Sequence, residues 1–353
     1  MKKTLVLMLV LVFSIAGVFA NGTSESGKSD AEKEAAYKGE YKLSLVVGPT
    51  FFWGKAAEGF AKEVAEGTEG RVNIKNYFGG QLFAGKQTNE FMLLVQGVAD
   101  FALGSTINWS PQAAELNLFS LPFMFPSYEA LDAVKEGGPG QSIFQSLEEK
   151  GVKCLAWGEN GFREVSNNKR AIVKPEDLKG LKIRIVGSPI FIDMFRAFGA
   201  DPMAINWSEA VTGFQQGTVD GQENPIVGVQ LPVKIWQYHQ YETVWHATID
   251  PLIMGASLQV WDTFSARDQK VIAAAAEKWC AWEVENVRKG MTSDDTSVFK
   301  GLEENGMEVT VLTDAQRQVF VSKTESIIDK WTDKIGADLV KDTQEIVGNY
   351  SYK

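Results

Sequence analysis

Few side chains here have the type and placement to do chemistry: two histidines, two cysteines and an arginine at the end of a predicted strand. His239 and His246 lie seven residues apart, without the H-E-x-x-H spacing that puts a zinc pair on one helical turn. Each reads as a structural or surface histidine. Cys154 falls in a predicted strand and Cys280 in an amphipathic helix beside Trp279 and Trp282. Both read as buried packing residues, with a single disulfide as the alternative in an exported chain. There is no G-x-x-x-x-G-K-[ST] loop, no G-x-G-x-x-G after a strand and no G-x-S-x-G elbow. Carboxylate pairs abound, as in any acidic protein, and none has a distinctive setting. These residues point to no catalyst, metal or cofactor.

The informative stretch runs from Gly161 to Pro225. It holds Gly161-Phe-Arg-Glu-Val-Ser-Asn-Asn168, Leu178-Lys-Gly-Leu-Lys-Ile-Arg-Ile-Val186 and Val219-Asp-Gly-Gln-Glu-Asn-Pro225. In the second segment Ile183 and Ile185 share one face of a strand while Lys182 and Arg184 share the other. Arg184 comes just before Gly187-Ser188-Pro189, where the strand ends and a helix begins. In open α/β sheets ligands sit beyond the carboxyl ends of strands. An arginine there presents a planar fork that grips a carboxylate through two charge-assisted hydrogen bonds. The alternative is an internal ion pair with an Asp or Glu, and strand spacing is compatible with both.

The elements that position these residues follow from composition and periodicity. The chain has 353 residues, 44% of them hydrophobic, with 35 Lys and Arg against 45 Asp and Glu for a formal charge of −10. That length exceeds what one core usually serves, about 250–300 residues, and predicts two lobes. The acidic balance excludes nucleic acid as a partner, because phosphate neutralisation needs clustered Lys and Arg. Met1-Lys2-Lys3, an apolar run from Leu5 and Val18-Phe19-Ala20 form a predicted signal peptide over residues 1–20, cleaved after Ala20. Asn21 replaces the cysteine that a lipoprotein anchor needs, so an exported, periplasmic chain is expected. Residues 21–40 are mostly Ser, Gly, Glu, Lys and Ala, with almost nothing to bury, and read as a flexible tether outside the fold.

From residue 40, strands and helices alternate. Strands are predicted at 42–47, 72–77, 99–103, 152–157, 182–186 and near 307–312. Helices are predicted at 56–68, 91–96, 131–150, 189–198 and 208–216, from Pro225 to Trp236, and through most of 265–350. Asp201-Pro202 reads as a break. Repeated βα units predict an α/β fold with helices on both faces of a sheet.

The Leu178–Val186 segment, Gly199-Ala200, Ser208-Glu209 and, most specifically, Asp220-Gly-Gln-Glu-Asn-Pro225 resemble the solute-binding subunits of tripartite ATP-independent periplasmic (TRAP) transporters, the dicarboxylate-binding family. The similarity spans roughly Tyr41 to Gly336 and includes Leu121-Pro-Phe-Met-Phe125. The resemblance implies a two-lobed periplasmic binding protein fold with a hinged cleft and a long connecting helix. Lobe I is expected over residues 41–160 plus about 250–289. Lobe II is expected over about 161–249 plus 290–340, with 341–353 as a C-terminal helical tail.

It further implies that Arg184 holds a substrate carboxylate, that Arg163 and Asn224 assist, and that Trp207 forms a wall. The loops at Pro49-Thr-Phe-Phe-Trp53 and Ser105-Thr-Ile-Asn-Trp109 occupy positions that complete the pocket in the family, making Phe51, Trp53, Thr106 and Trp109 further site candidates. Gly187 and Val211 depart from the family's usual Pro and Tyr. The implied function is a non-enzymatic receptor for an organic acid. It would deliver the acid to the small and large membrane subunits of an ion-gradient-driven transporter, without cofactor or metal. The alternatives are a receptor for a neutral or cationic solute of an ATP-driven importer, and an exported enzyme.

Overall fold

The computed structural model of the chain describes residues 28–292 and 294–352. The predicted signal peptide, its cleavage site after Ala20 and the first residues of the tether lie outside the described residues. Elements follow in the order α1 (Asp30–Glu34), β1 (Tyr41–Ser44), α2 (Phe52–Gly67), β2 (Ile74–Tyr77), α3 (Glu90–Val95), β3 (Phe101–Ser105), α4 (Thr106–Trp109), α5 (Tyr128–Glu136), α6 (Gly138–Glu149) and β4 (Val152–Asn167). Then come β5 (Lys182–Ile185), α7 (Pro189–Ala197), β6 (Asp201–Ala204), α8 (Trp207–Gln216), β7 (Gly221–Pro225), β8 (Tyr241–Ser257), α9 (Leu258–Trp261) and α10 (Ala266–Arg288). The chain ends with α11 (Ser297–Glu304), β9 (Glu308–Val311), α12 (Asp314–Val321), α13 (Glu325–Ile335) and α14 (Ala337–Val347).

One mixed sheet runs β2-β1-β3-β8-β4-β7-β5-β6, with β9 on β8. The long strands β4 and β8 form its spine, antiparallel from Val152↔Ser257 to Asn167↔Tyr241. The parallel trio β1–β3 lies on one side and the parallel pair β5–β6, with β7, on the other. The two lobes are thus the two ends of one sheet, joined through its two longest strands. Register shifts at Glu159/Gly161 and Arg163/Val165 bend the spine where the lobes meet. The left-handed backbone of His246 sits in the second of these irregularities.

In α2, Trp53, Ala56, Ala57, Phe60 and Val64 recur every three or four residues and are buried. They pack in one cluster with Leu43, Phe101, Phe264, Ile272, Ala276 and Cys280. Helix α10 has 23 residues, about 34 Å at 1.5 Å per residue. It lies on α2, where Glu63 accepts a bond from Trp279 Nε1 at 2.8 Å. It also reaches β4, where Glu283 accepts the Glu159 N–H at 2.7 Å.

Several expectations are corrected. Residues 29–38 are not a free tether: Lys33 donates to the carbonyls of Asp262 and Phe264, Glu34 pairs with Arg267 at 3.0 Å, and the Tyr37 ring meets Phe264 edge-on. Phe51-Phe-Trp53 is the opening of α2, not a loop. Asp201-Pro202 starts β6 instead of ending an element. Gly221–Pro225 is a strand followed by a wide helical turn at Ile226–Gln230, where a long helix from Pro225 was expected. A Cβ on Gly228 would lie 2.3 Å from Asn160 Oδ1, so the turn needs glycine to seat against β4. Both cysteines are free and buried, in different elements. Among the described residues, no helix is long and apolar enough to cross a membrane.

Candidate functional site

A cleft opens where β4, β5, β7 and β8 approach the loops after β1 and β3. Its lining includes Arg163, Arg184, Trp207 and Asn224 from one side, Trp53, Ser105 and Asn108 from the other, and Asp250 between them. The cavity left between the walls is about 20 Å³, far below the roughly 300–1,000 Å³ of small-molecule sites, so the walls stand nearly closed on one another and must part to admit a ligand.

Arg184 is carried into this space by β5, exposed at Lys182 and buried from Ile183 to Ile185. Its Nε donates to the Ile205 carbonyl at 2.9 Å, and the guanidinium lies 5.6 Å from the Trp207 ring centre. The residue is 1% exposed. Its buried Nη2 has no hydrogen-bond partner among the described residues. Burial pushes its pKa down to about 10, with Glu223 opposing and the neighbouring Arg163 adding to the fall. It therefore stays charged at neutral pH, as a buried cation with unused donors.

Arg163 is the opposite case. Its Nε and Nη2 engage the Glu223 carboxylate, and Nη1 donates to Asp250 at 3.2 Å. Nη2 also donates to Asn224 Oδ1 at 2.8 Å. Asp250 in turn accepts from Ser105 at 2.6 Å and Asn160 at 2.9 Å. Burial pushes both carboxyls up while the guanidinium pulls them down. Both carboxylates of the site are thus bonded to Arg163, and Arg184 is the guanidinium of the cleft wall with no carboxylate bonded to it, Glu223 acting on it only through space. Asn224 is held with its oxygen on Arg163 and its Nδ2 on Gln222; an amide nitrogen carries two donors, so one remains for the cleft.

The structure brings Arg163, Arg184, Trp207, Asn224 and Trp53 together around the cleft. Phe51 stands one layer back, edge-on to Trp207 with ring centres 6.4 Å apart. Trp109 and Thr106 require correction. The indole of Trp109 is fully buried against Gly104, where any Cβ would collide with it at 2.2 Å, and its Nε1 donates to Glu90 at 3.1 Å. It belongs to the lobe interior because Ser105 caps α4 and turns the segment inward. Thr106 is fully buried, with its hydroxyl 3.5 Å from Asp250. Sequence reasoning missed Asp250, Glu223, Gln87, Asn108 and Asn160 as members of the site. Glu223 and Asn108 carried a signal, inside the Asp220–Pro225 and Ser105–Trp109 runs.

Residues 43–334 match the family described as bacterial extracellular solute-binding protein, family 7 (DctP). A curated solute-binding protein of Verminephrobacter eiseniae is 32% identical over 82% of this chain and 83% of its own length. A TRAP periplasmic solute-binding protein of Ralstonia eutropha, solved with bound (S)-2-acetolactate, is 48% identical, with a TM-score of 0.87 over 89% of this chain and 100% of that one. Another, from a Polaromonas species and bound to D-erythronate, is 29% identical, with a TM-score of 0.79 over 86% of this chain and 98% of that one. Matching over this length, with the same two-lobed architecture, places the chain among the family 7 extracellular solute-binding proteins, the DctP family of TRAP solute receptors.

Proposed function

We propose that this protein is a periplasmic receptor for a small monocarboxylic acid, which Arg184 holds through its carboxylate as the lobes close. The supporting observation is the buried Nη2 of Arg184, charged and without a partner. A buried unpaired cation is costly, and an anion in the cleft removes that cost. Asn224 offers its remaining amide hydrogen to the same carboxylate. Arg163 acts one step removed, fixing Asn224 and cancelling Glu223 and Asp250. Trp207 and Trp53 wall the ligand, and Phe51 braces Trp207.

One guanidinium with an open donor matches one carboxylate. Away from Arg184 the lining is Val46, Val47, Val186, Val229, Trp53 and Trp207, interspersed with Gln87, Ser105, Asn108 and Asn160. Those walls suit a short branched body carrying hydroxyl or oxo groups, and a second carboxylate would meet valines or Asp250. The acetolactate bound by the Ralstonia relative has that chemistry. No nucleophile or metal cluster enters this reading, so the protein binds and releases without turnover. We place its mature start after Ala20 and its partners in the small and large membrane subunits of a TRAP transporter, following the family.

A thermal-shift series tests this. At 100 times its Kd a ligand stabilises by about 2.7 kcal/mol. (S)-2-Acetolactate and similar short hydroxy or oxo monocarboxylates should raise the melting temperature, and succinate should do so less. A flat response to every acid, with shifts from neutral sugars or amines, overturns the proposal.

A further inference from the structure

We propose that Gln87 is the latch of the closed form, joining the ligand-facing wall of one lobe to the helix that carries Trp207 in the other. Gln87 sits in a short turn between β2 and α3 and is 4% exposed. Its Oε1 accepts the backbone N–H of Trp207, the first residue of α8, at 2.6 Å. Its Nε2 donates to Asn108 Oδ1, also at 2.6 Å. A backbone N–H can only donate, so the Trp207 contact fixes which end of the Gln87 amide is oxygen. That forces Oδ1 of Asn108 toward Gln87, leaving the Asn108 nitrogen for the cleft that Asn108 lines.

Helix α8 provides no side-chain cap of its own: Asn206, at the capping position, makes no such bond. The start of a helix leaves N–H groups without partners, and here the other lobe satisfies one of them. A second contact repeats the arrangement. Ser188 precedes α7 without capping it, and its hydroxyl lies 3.3 Å from that of Ser110, both buried. The approach at this seam is close. A Cβ on Gly85 would lie 2.7 Å from Ser208 Oγ, at a backbone φ of +79° that suits only glycine. The Gln87–Trp207, Ser110–Ser188 and Gly85–Ser208 contacts each join the β1–β3 end of the sheet to the β5–β7 end, so opening the lobes breaks these three together, while the Gln87–Asn108 bond stays within one lobe. Trp207 also lies beside the Arg184 guanidinium, which ties the latch to the ligand clamp. A ligand that engages Arg184 and Asn108 therefore holds both ends of the Gln87 bridge, and release requires the bridge to part.

This inference rests on the reading of the cleft as an anion site for its choice of probe. The test uses the mature full chain with (S)-2-acetolactate, comparing wild type with Gln87→Met, which keeps the side-chain length and loses both bonds. Release in stopped flow should quicken about tenfold, with association within about twofold of wild type. In the loaded protein, the Trp207 amide should exchange with solvent about tenfold faster while the Phe214 amide of the same helix keeps its rate. Ser110→Ala, outside the cleft lining, should also quicken release, by about threefold, which lost ligand contact would not explain. Wild-type release and exchange rates in Gln87→Met, or a loss confined to association, overturn the latch. If wild type fails to bind acetolactate, the ligand reading falls instead. The latch is then decided on ligand-free protein: Trp207 exchange faster in Gln87→Met supports it, and equal exchange refutes it.

Discussion

Replacing Arg184 with methionine should abolish tight binding while making the ligand-free protein more stable. The guanidinium is 1% exposed and its pKa falls well below the usual arginine range to about 10, chiefly through burial. At about 1.36 kcal/mol per unit, holding it charged costs the folded state roughly 3 kcal/mol. The substitution also removes the bond to the Ile205 carbonyl, worth about 1 kcal/mol, and the contact with Trp207, worth about 0.5–1 kcal/mol. A net gain of roughly 1–2 kcal/mol remains, seen as a rise of a few degrees in Tm. The gain should be full below pH about 10 and fade at higher pH, where the wild-type guanidinium sheds its proton on folding. Binding moves the other way. Losing one member of a desolvated charge pair costs about 2–5 kcal/mol, or roughly thirtyfold to several thousandfold in Kd. Scanning calorimetry of the ligand-free proteins and titration calorimetry with acetolactate measure both effects. A mutant that melts several degrees lower, or that binds as wild type does, refutes the reasoning.

Three further outcomes follow from buried charged groups in the cleft and in the lobe interior. Arg163→Met should destabilise by about 3–5 kcal/mol in urea unfolding, because it strands Glu223 and Asp250 as buried carboxylates; a cost near zero would mean they hold no charge. Glu90 is buried, bonded by Ser44 at 2.7 Å and Trp109, and burial raises its pKa from 4.5 to about 8. A raised carboxyl loses stability as pH climbs from 4.5 toward 8, so Glu90→Gln should match wild type near pH 5 and exceed it at pH 8 by a few kcal/mol. Equal melting curves at both pH values would contradict this. Acid affinity should stay level from about pH 6 to 9 and fall only above about 10, as Arg184 deprotonates. A fall between pH 6 and 8 in titration calorimetry would assign the clamp to a histidine.

Arg184 was legible because its position depends on local rules: period-two alternation, a Gly-Ser-Pro stop, and ligands beyond strand ends. The paired state of Arg163 was not, because Glu223 and Asp250 reach it from β7 and β8 through pairings far apart in sequence. Strand β8 went unread partly because Pro251 sits inside it. Proline is tolerated there since its partner Glu159 adjoins a register shift. Trp109 was misplaced for a related reason: aromatics after a strand suggested a pocket loop, whereas Ser105 turns the chain into α4 and drives the indole inward. The Asp30–Glu34 segment has Ala31 as its one apolar residue, and its docking rests on the Asp262 and Phe264 carbonyls and on Arg267 of α10, which composition does not reveal.

That the buried guanidinium of Arg184, with no carboxylate of its own, captures the ligand's carboxylate is tested most directly by a crystal structure of the protein grown with (S)-2-acetolactate. The account predicts the ligand carboxylate within about 3 Å of Arg184 Nη2, with Arg163 still bound to Glu223 and Asp250. A ligand carboxylate seated elsewhere, with Nη2 of Arg184 unpartnered as before, would contradict it.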